Sequence, residues 1–130
     1  MRTRIEALEI HADARGSVFE PIPPELIGLQ GNVHVAFTEP GCVRGNHFHP
    51  RGTEIAIVRG PALVRIREDG ATRDTILADG AVLRFVFPPG VSHAFQNTSA
   101  VSSTIVAFNS EPHDPARPDL VRDILIEPAG

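Results

Sequence analysis

The residues best placed to do chemistry lie in one stretch, Gly41-Cys42-Val43-Arg44-Gly45-Asn46-His47-Phe48-His49-Pro50-Arg51-Gly52-Thr53-Glu54. His47 and His49 are two apart, so on an extended strand both imidazoles project from the same face. Pro50-Arg51-Gly52 reads as a turn, after which Glu54 opens a new strand and can bring its carboxylate back beside them. His93 follows the turn Pro88-Pro89-Gly90 and is a fourth candidate. Three imidazoles and one carboxylate converging in a barrel mouth make a borderline donor set, suited to zinc, iron, manganese, nickel or copper. On its own, a His-x-His pair is weak evidence for a metal. His34 alternates with apolar residues and reads as an ordinary strand histidine, while His11 and His113 sit in polar or proline-flanked surface contexts. Cys42 reads as a small strand-end residue with no base beside it.

Absences narrow the chemistry further. The chain has 130 residues, and all 12 of its basic residues are arginine. Without lysine, Schiff-base chemistry and lysine general bases are excluded. There is no tyrosine or tryptophan, which removes phenolic acids and tyrosyl crosslinks. One cysteine permits no internal disulfide and no multi-cysteine zinc or iron–sulfur site. Against the arginines stand 16 acidic residues, a formal net charge of −4, which argues against general nucleic-acid binding. Apolar runs are far shorter than the roughly 20 residues needed to span a bilayer, so no membrane association is expected. The N-terminal residues alternate charge with apolar side chains and carry no signal-peptide core, so a cytoplasmic location is expected.

The elements that position these residues follow a period of two. Val33, Val35 and Phe37 share one face of Asn32–Thr38, and Val64 and Ile66 oppose Arg65 and Arg67 in 62–67. Further strands are expected at 4–10, 17–22, 43–49, 53–59, 72–77, 81–87, 92–96, 101–108 and 120–126. Arg65, Arg67 and Arg73 read as solvated strand charges. Glycine and proline punctuate the gaps, and 23–28 alone reads as a helical turn. Many short strands at even spacing, with almost no helix, point to an all-β antiparallel sandwich or barrel.

The arrangement as a whole resembles the cupin superfamily, of the RmlC-like kind. The first cupin motif, G-x5-H-x-H-x3,4-E-x6-G, is matched by Gly41-x5-His47-x-His49-x4-Glu54-x5-Gly60. The second, G-x5-P-x-G-x2-H-x3-N, is matched by Gly80-x7-Pro88-x-Gly90-x2-His93-x3-Asn97. The two departures, one residue fewer before Gly60 and two more before Pro88, leave the four ligand positions untouched. The resemblance implies a single-domain double-stranded β-helix, a small jelly-roll barrel, over 1–130, with motif 1 at about 41–60 and motif 2 at about 80–97. It implies one divalent metal per chain (zinc, nickel, iron or manganese) on His47, His49, Glu54 and His93. More narrowly, Arg44-Gly45-Asn46-His47-Phe48-His49, Glu54 and the run Asn109 to Asp119 look like the C-terminal cupin domain of capsular-polysaccharide epimerase/reductases. In that family the cupin domain carries zinc and epimerises a keto-sugar attached to a nucleotide, and a separate reductase domain finishes the product. Related sugar-nucleotide ketoisomerases share the fold and a paired-histidine site without needing a metal. The tyrosine acid of the rhamnose-pathway epimerases has no counterpart here.

Epimerisation or isomerisation beside a carbonyl needs a base to remove a proton and a group to stabilise the enediolate. His47 or His93 could act as that base if not ligated. Arg44 is a candidate anchor for a substrate phosphate or carboxylate, since its planar fork binds such groups bidentately. The leading expectation is a metal-dependent isomerase or epimerase on a small polar substrate such as a sugar nucleotide. An iron-dependent dioxygenase-type cupin and a non-catalytic small-ligand binder or sensor are the alternatives. A homodimer is expected, with Ile5, Leu8 and Ile10 and the strand 120–126 as its interface.

Overall fold

Alternation along the strands carries through into a two-layer β structure in the computed structural model, which describes residues 2–128. The strands run β1 (Arg4–Ala7), β2 (His11–Asp13), β3 (Gly16–Val18), β4 (Asn32–Thr38), β5 (Val43–Phe48) and β6 (Glu54–Arg59), then β7 (Ala62–Glu68), β8 (Ala71–Leu77), β9 (Val82–Phe87), β10 (Ser92–Asn97), β11 (Ser103–Asn109) and β12 (Val121–Arg122). One helical turn, α1 (Pro24–Ile27), precedes β4. Two five-stranded antiparallel sheets are ordered β1-β9-β6-β11-β4 and β12-β5-β10-β7-β8, and β2 and β3 form a separate hairpin. Among the described residues no helix is long and apolar enough to cross a membrane.

The core lies between the sheets and draws on both: Ala56, Val58, Val64, Ile66, Phe85, Phe87, Phe95 and Ile105 are all buried there. β6 explains how the site enters this core. It is the central strand of its sheet, between β9 and β11, and it is buried from Glu54 through Val58. Ala56 and Val58 face between the sheets, whereas Ile55 and Ile57 face outward under Ile22, Leu8, Phe19 and Leu26. Glu54 shares the parity of Ala56 and Val58, so its carboxylate is driven inward. In β10 the same parity sets His93 beside Phe95, and His93 is fully buried.

Expected strands at 4–10, 17–22 and 120–126 shorten to β1, β3 and β12. The causes are local: Pro21 and Pro23 cannot donate to a ladder, and the tail past Arg122 is held by a side chain instead of by a strand. The segments expected to form a partner interface pair within the chain, β1 on β9 and β12 on β5. The arginines read as solvated do form ion pairs: Arg65 with Asp74, Arg67 with Asp123 and Arg73 with Glu68.

β5 carries the irregularity that aims the site. Its register against β10 slips by one residue, so that Gly45 opposes Ala94 and His47 opposes His93, with Asn46 left over as a bulge. Gly45 and Asn46 both take positive φ, 84° and 58°. Asn46 is buried, and its side chain clamps the tail: Nδ2 donates to the Ile126 carbonyl at 2.9 Å, while Oδ1 accepts from the N–H groups of Leu125 (2.8 Å) and Ile126 (3.1 Å). Its carbonyl accepts from Asp123 N at 2.8 Å. Asp123 is tied in turn to Ser92 and Arg67. Asn46→Gly keeps the bulge but orphans these buried groups, and should cost about 2–3 kcal/mol in urea unfolding. Asn46→Ala should cost about 1 kcal/mol more, because alanine resists positive φ. Both variants should open residues 123–128 to proteolysis, and an uncut tail would contradict the clamp.

Candidate functional site

His47, His49, Glu54 and His93 converge at one end of the barrel. One ligand atom from each lies within 4.8 Å of the others. The imidazole centroids are 4.8 Å apart for His47–His49, 5.0 Å for His47–His93 and 5.8 Å for His49–His93. Phe87 stacks flat on His93 at 4.1 Å and fixes its plane.

Hydrogen bonds decide which ring nitrogens face inward. His49 Nδ1 lies 2.7 Å from the Asp119 carbonyl, and His93 Nδ1 lies 3.1 Å from the Val91 carbonyl. A carbonyl only accepts, so each Nδ1 carries the hydrogen and each Nε2 is left to face the cluster. His49 Nε2 is 3.0 Å from Glu54 Oε1. His93 Nε2 is 3.0 Å from Glu54 Oε2 but is not aligned for a hydrogen bond, so this fully buried nitrogen has no hydrogen-bond partner. Lone pairs on nitrogen and carboxylate oxygen thus point at one another. Protonation of an imidazole relieves this in part; a divalent cation satisfies every donor together. The donor set, its tautomers and the orphaned nitrogen all fit such an ion.

Charge follows the same logic. Burial by itself would raise the Glu54 carboxyl, but the charge of the neighbouring His93 and the hydrogen bond from a protonated His49 Nε2 outweigh it and hold the group well below the usual carboxylate range. Burial also opposes protonation of His49. Its hydrogen bond to Glu54, the charge of that carboxylate and the Asp119 carbonyl prevail and raise it. His47 goes the other way: burial, then His93, push it down to about 4 against the pull of Glu54.

Above the cluster opens a cavity of about 260 Å³, walled by β4, the end of β11 and the proline-rich segment 110–120. His34 and His113, read from sequence as strand and surface residues, both line it, as do Glu111, Asp114 and Asp119. His34 shows its inward parity on β4, but only the closure of the barrel tells that the inward face is open there. His113 is delivered by a loop without periodic signal. Asp119 ends the run that carries the narrower resemblance, which assigns it no role of its own. Its carboxylate accepts from Arg51 N (2.9 Å) and Gly52 N (2.8 Å), which fixes the turn between His49 and Glu54. Arg44 does not join the group. It reaches along the sandwich edge and donates from Nη2 to the Phe37 carbonyl at 2.9 Å, and the cavity wall does not include it. Cys42 is exposed and lies outside the cavity wall.

The profile of a family described as polysaccharide biosynthesis C-terminal domain matches residues 11–121. The chain belongs to this family. No curated protein matches it. Among solved structures it resembles the capsular polysaccharide assembling protein CapF from Staphylococcus aureus, with TM-score 0.67 and 24% identity over 91% of this chain and 34% of that one. The chain therefore spans about a third of CapF. It also resembles QdtA, a sugar 3,4-ketoisomerase from Thermoanaerobacterium thermosaccharolyticum in complex with TDP (0.72, 19%, covering 93% and 88%). A third is NovW, a 4-keto-6-deoxy sugar epimerase from Streptomyces spheroides (0.71, 24%, covering 88% and 66%). These likenesses show an RmlC-like cupin fold, as the two motifs imply.

In metal-free protein, imidazole nitrogen NMR should resolve the opposed shifts. His47 should titrate near 4, and His49 should titrate above its ordinary value of 6.5. The His47 contribution to stability is full above pH 6.5 and is lost as the pH falls toward 4. That of His49 is full below pH 6.5 and is lost as the pH rises through its raised value. A His47 that titrates above His49 would contradict the geometry.

Proposed function

We propose that this chain is one cupin unit that isomerises or epimerises a keto-sugar carried on a nucleotide, with one divalent metal held by His47, His49, Glu54 and His93. The observation that carries this is the inward turn of the His49 and His93 Nε2 atoms onto a buried carboxylate, at the floor of an open cavity. The family and the named activities of QdtA and NovW support it. When bound, the ion would supply a Lewis acid for the substrate carbonyl and for the enediolate charge that follows deprotonation.

The rest falls to the chain's own residues. With four side chains engaged, the free imidazoles in the cavity are His34 and His113, placed to take a proton from the carbon beside the carbonyl and to return one. His47, pushed down to about 4, is neutral at physiological pH and suited to ligation, or to accepting that proton when no metal is held. The cavity wall holds Glu54, Glu111, Asp114 and Asp119 and no arginine. It therefore suits a neutral polyhydroxylated ring and leaves an anionic diphosphate outside.

Untagged protein should hold one equivalent of divalent metal, weakened about 100-fold or more in His49→Ala and His93→Ala. Zinc, nickel or manganese would favour the isomerase; iron with substrate-linked oxygen uptake would favour a dioxygenase. A thymidine-diphosphate 4-keto-6-deoxy sugar incubated in D2O with the loaded protein should gain deuterium beside its carbonyl. Exchange should fall about 100-fold or more on chelation, and in His34→Gln and His113→Gln if they share the proton transfer. Exchange that persists without metal would transfer the base role to His47. Binding without exchange, for every metal tried, would leave a ligand-binding protein and overturn the reading.

A further inference from the structure

Three side chains stand in a row across one end of the sheet that carries Glu54. Glu54 opens β6, Asn109 closes β11 opposite it, and Asn32 opens β4 on the far side of Asn109. Residues directly opposite in an antiparallel ladder point to the same face, with Cβ atoms about 5 Å apart. Both carboxamides therefore face inward beside the ligand carboxylate, and both line the cavity above the cluster.

One residue orients the two amides. The Glu111 N–H donates to Asn109 Oδ1 at 2.8 Å, and the Glu111 carbonyl accepts from Asn32 Nδ2 at 2.7 Å. A peptide N–H only donates and a carbonyl only accepts, so neither amide can flip without losing its bond. The chain at Glu111 is itself held. Ser110 N donates to the Thr53 carbonyl at 3.1 Å, and Gly31 N donates to the Asn109 carbonyl at 2.8 Å. A Cβ on Gly31 would collide with the backbone at 111–112, and one on Gly52 with the Asn109 carboxamide, so glycine at both places lets the loop press close. The groups left over are complementary. Asn109, 6% exposed, keeps its Nδ2 donors, and Asn32 keeps an acceptor on Oδ1; among the described residues neither has a hydrogen-bond partner. In a wall of carboxylates and imidazoles, Asn109 Nδ2 is a donor that no change of protonation removes.

We infer that Asn109 and Asn32 together hold an α-hydroxy ketone, the ketone oxygen on Asn109 Nδ2 and the neighbouring hydroxyl on Asn32 Oδ1. This rests on the isomerase reading above and narrows it, because the reacting carbon is then the one that bears the hydroxyl. His34 is two residues from Asn32 on the same face of β4, on the next rung of the ladder. When an imidazole takes the proton from that carbon, the C–H electron pair becomes the C=C bond and the carbonyl π pair moves onto the ketone oxygen. Asn109 is the catalytic residue at that oxygen, since its hydrogen bond strengthens as the charge arrives. Return of the proton to the opposite face of the same carbon gives the epimer. Its return to the former carbonyl carbon, with the hydroxyl proton passing to the oxygen on Asn109, moves the ketone by one position.

Asn109→Ser and Asn109→Asp each keep an oxygen for the Glu111 N–H and remove the free donor. In both, deuterium exchange into the keto-sugar should lose about 100-fold or more in kcat, with KM changed far less. Circular dichroism and metal content should match wild type. If Asn109 merely braced the loop, both variants would exchange as wild type does. Asn32→Ala should weaken binding of the keto-sugar about tenfold and leave unchanged that of an analogue without the hydroxyl beside the ketone; a loosened loop would weaken both. Acetohydroxamate, with its carbonyl and hydroxyl on adjacent atoms, tests the pair without turnover. Titrated into zinc-loaded protein isotope-labelled at asparagine, it should shift one side-chain amide resonance that is missing from Asn109→Ser. No saturable shift of that resonance, wild-type exchange in either Asn109 variant, or equal weakening of both ligands by Asn32→Ala would overturn the inference. A shift without exchange in wild type would instead fail the isomerase reading and leave the two carboxamides as a site for an α-hydroxy carbonyl.

Discussion

A carboxylate buried at the centre of an apolar sheet constrains nearly everything else in this molecule. Glu54 lies at the inward-facing start of β6, and an isolated charge there would be neutralised or expelled. The fold keeps it ionised by surrounding it with imidazoles drawn from two other strands, and those strands are placed to do so. β5 must bulge to aim His47, the turn at 50–52 must be tight to return Glu54 beside His49, and Phe87 must lie flat beneath His93. Each of these local irregularities would be a defect in a sandwich built only for stability. Together they hold one anion against the tendency of the core to exclude it.

The same constraint ties distant parts of the chain together. Asn46, the extra residue of the bulge, is spared from the ladder and spends its side chain on the tail at 125–126. Asp119 fixes the turn with its carboxylate and His49 with its carbonyl. The cavity mouth and the C-terminal segments are therefore tied by hydrogen bonds to the strand and turn that carry His47, His49 and Glu54. A tail contact 80 residues away in sequence thus braces the bulge next to His47.

Much of this was legible in the sequence, for physical reasons that can be named. Strand parity places His47 with His49, and Glu54 with Ala56, because a period of two survives wherever a strand is regular. Gly and Pro mark the turns at 50–52 and 88–90, where only certain backbone angles serve. What escaped was whatever depends on a break in that period or on closure. The bulge at Asn46 brings Arg44 onto the inward side, yet at the open edge, where it serves the backbone of β4 and not the cavity. His34 and His113 enter the cavity wall only because β4 and the proline-rich segment meet there, which no local pattern records. The alternation of Val33, Val35 and Phe37 was plain, but whether an apolar face is covered is a property of its neighbours.

The main-chain carbonyls of Asp119 and Val91 set the orientation of two of the three imidazoles. A side-chain partner can be lost by a single codon change; a peptide carbonyl persists under almost any substitution. Ring geometry at this site is therefore insulated from mutational drift in the surrounding wall. The residues of the wall can be exchanged while the imidazoles keep facing the same point. Such a separation of a backbone-held frame from a replaceable lining lets the lining change without disturbing the centre.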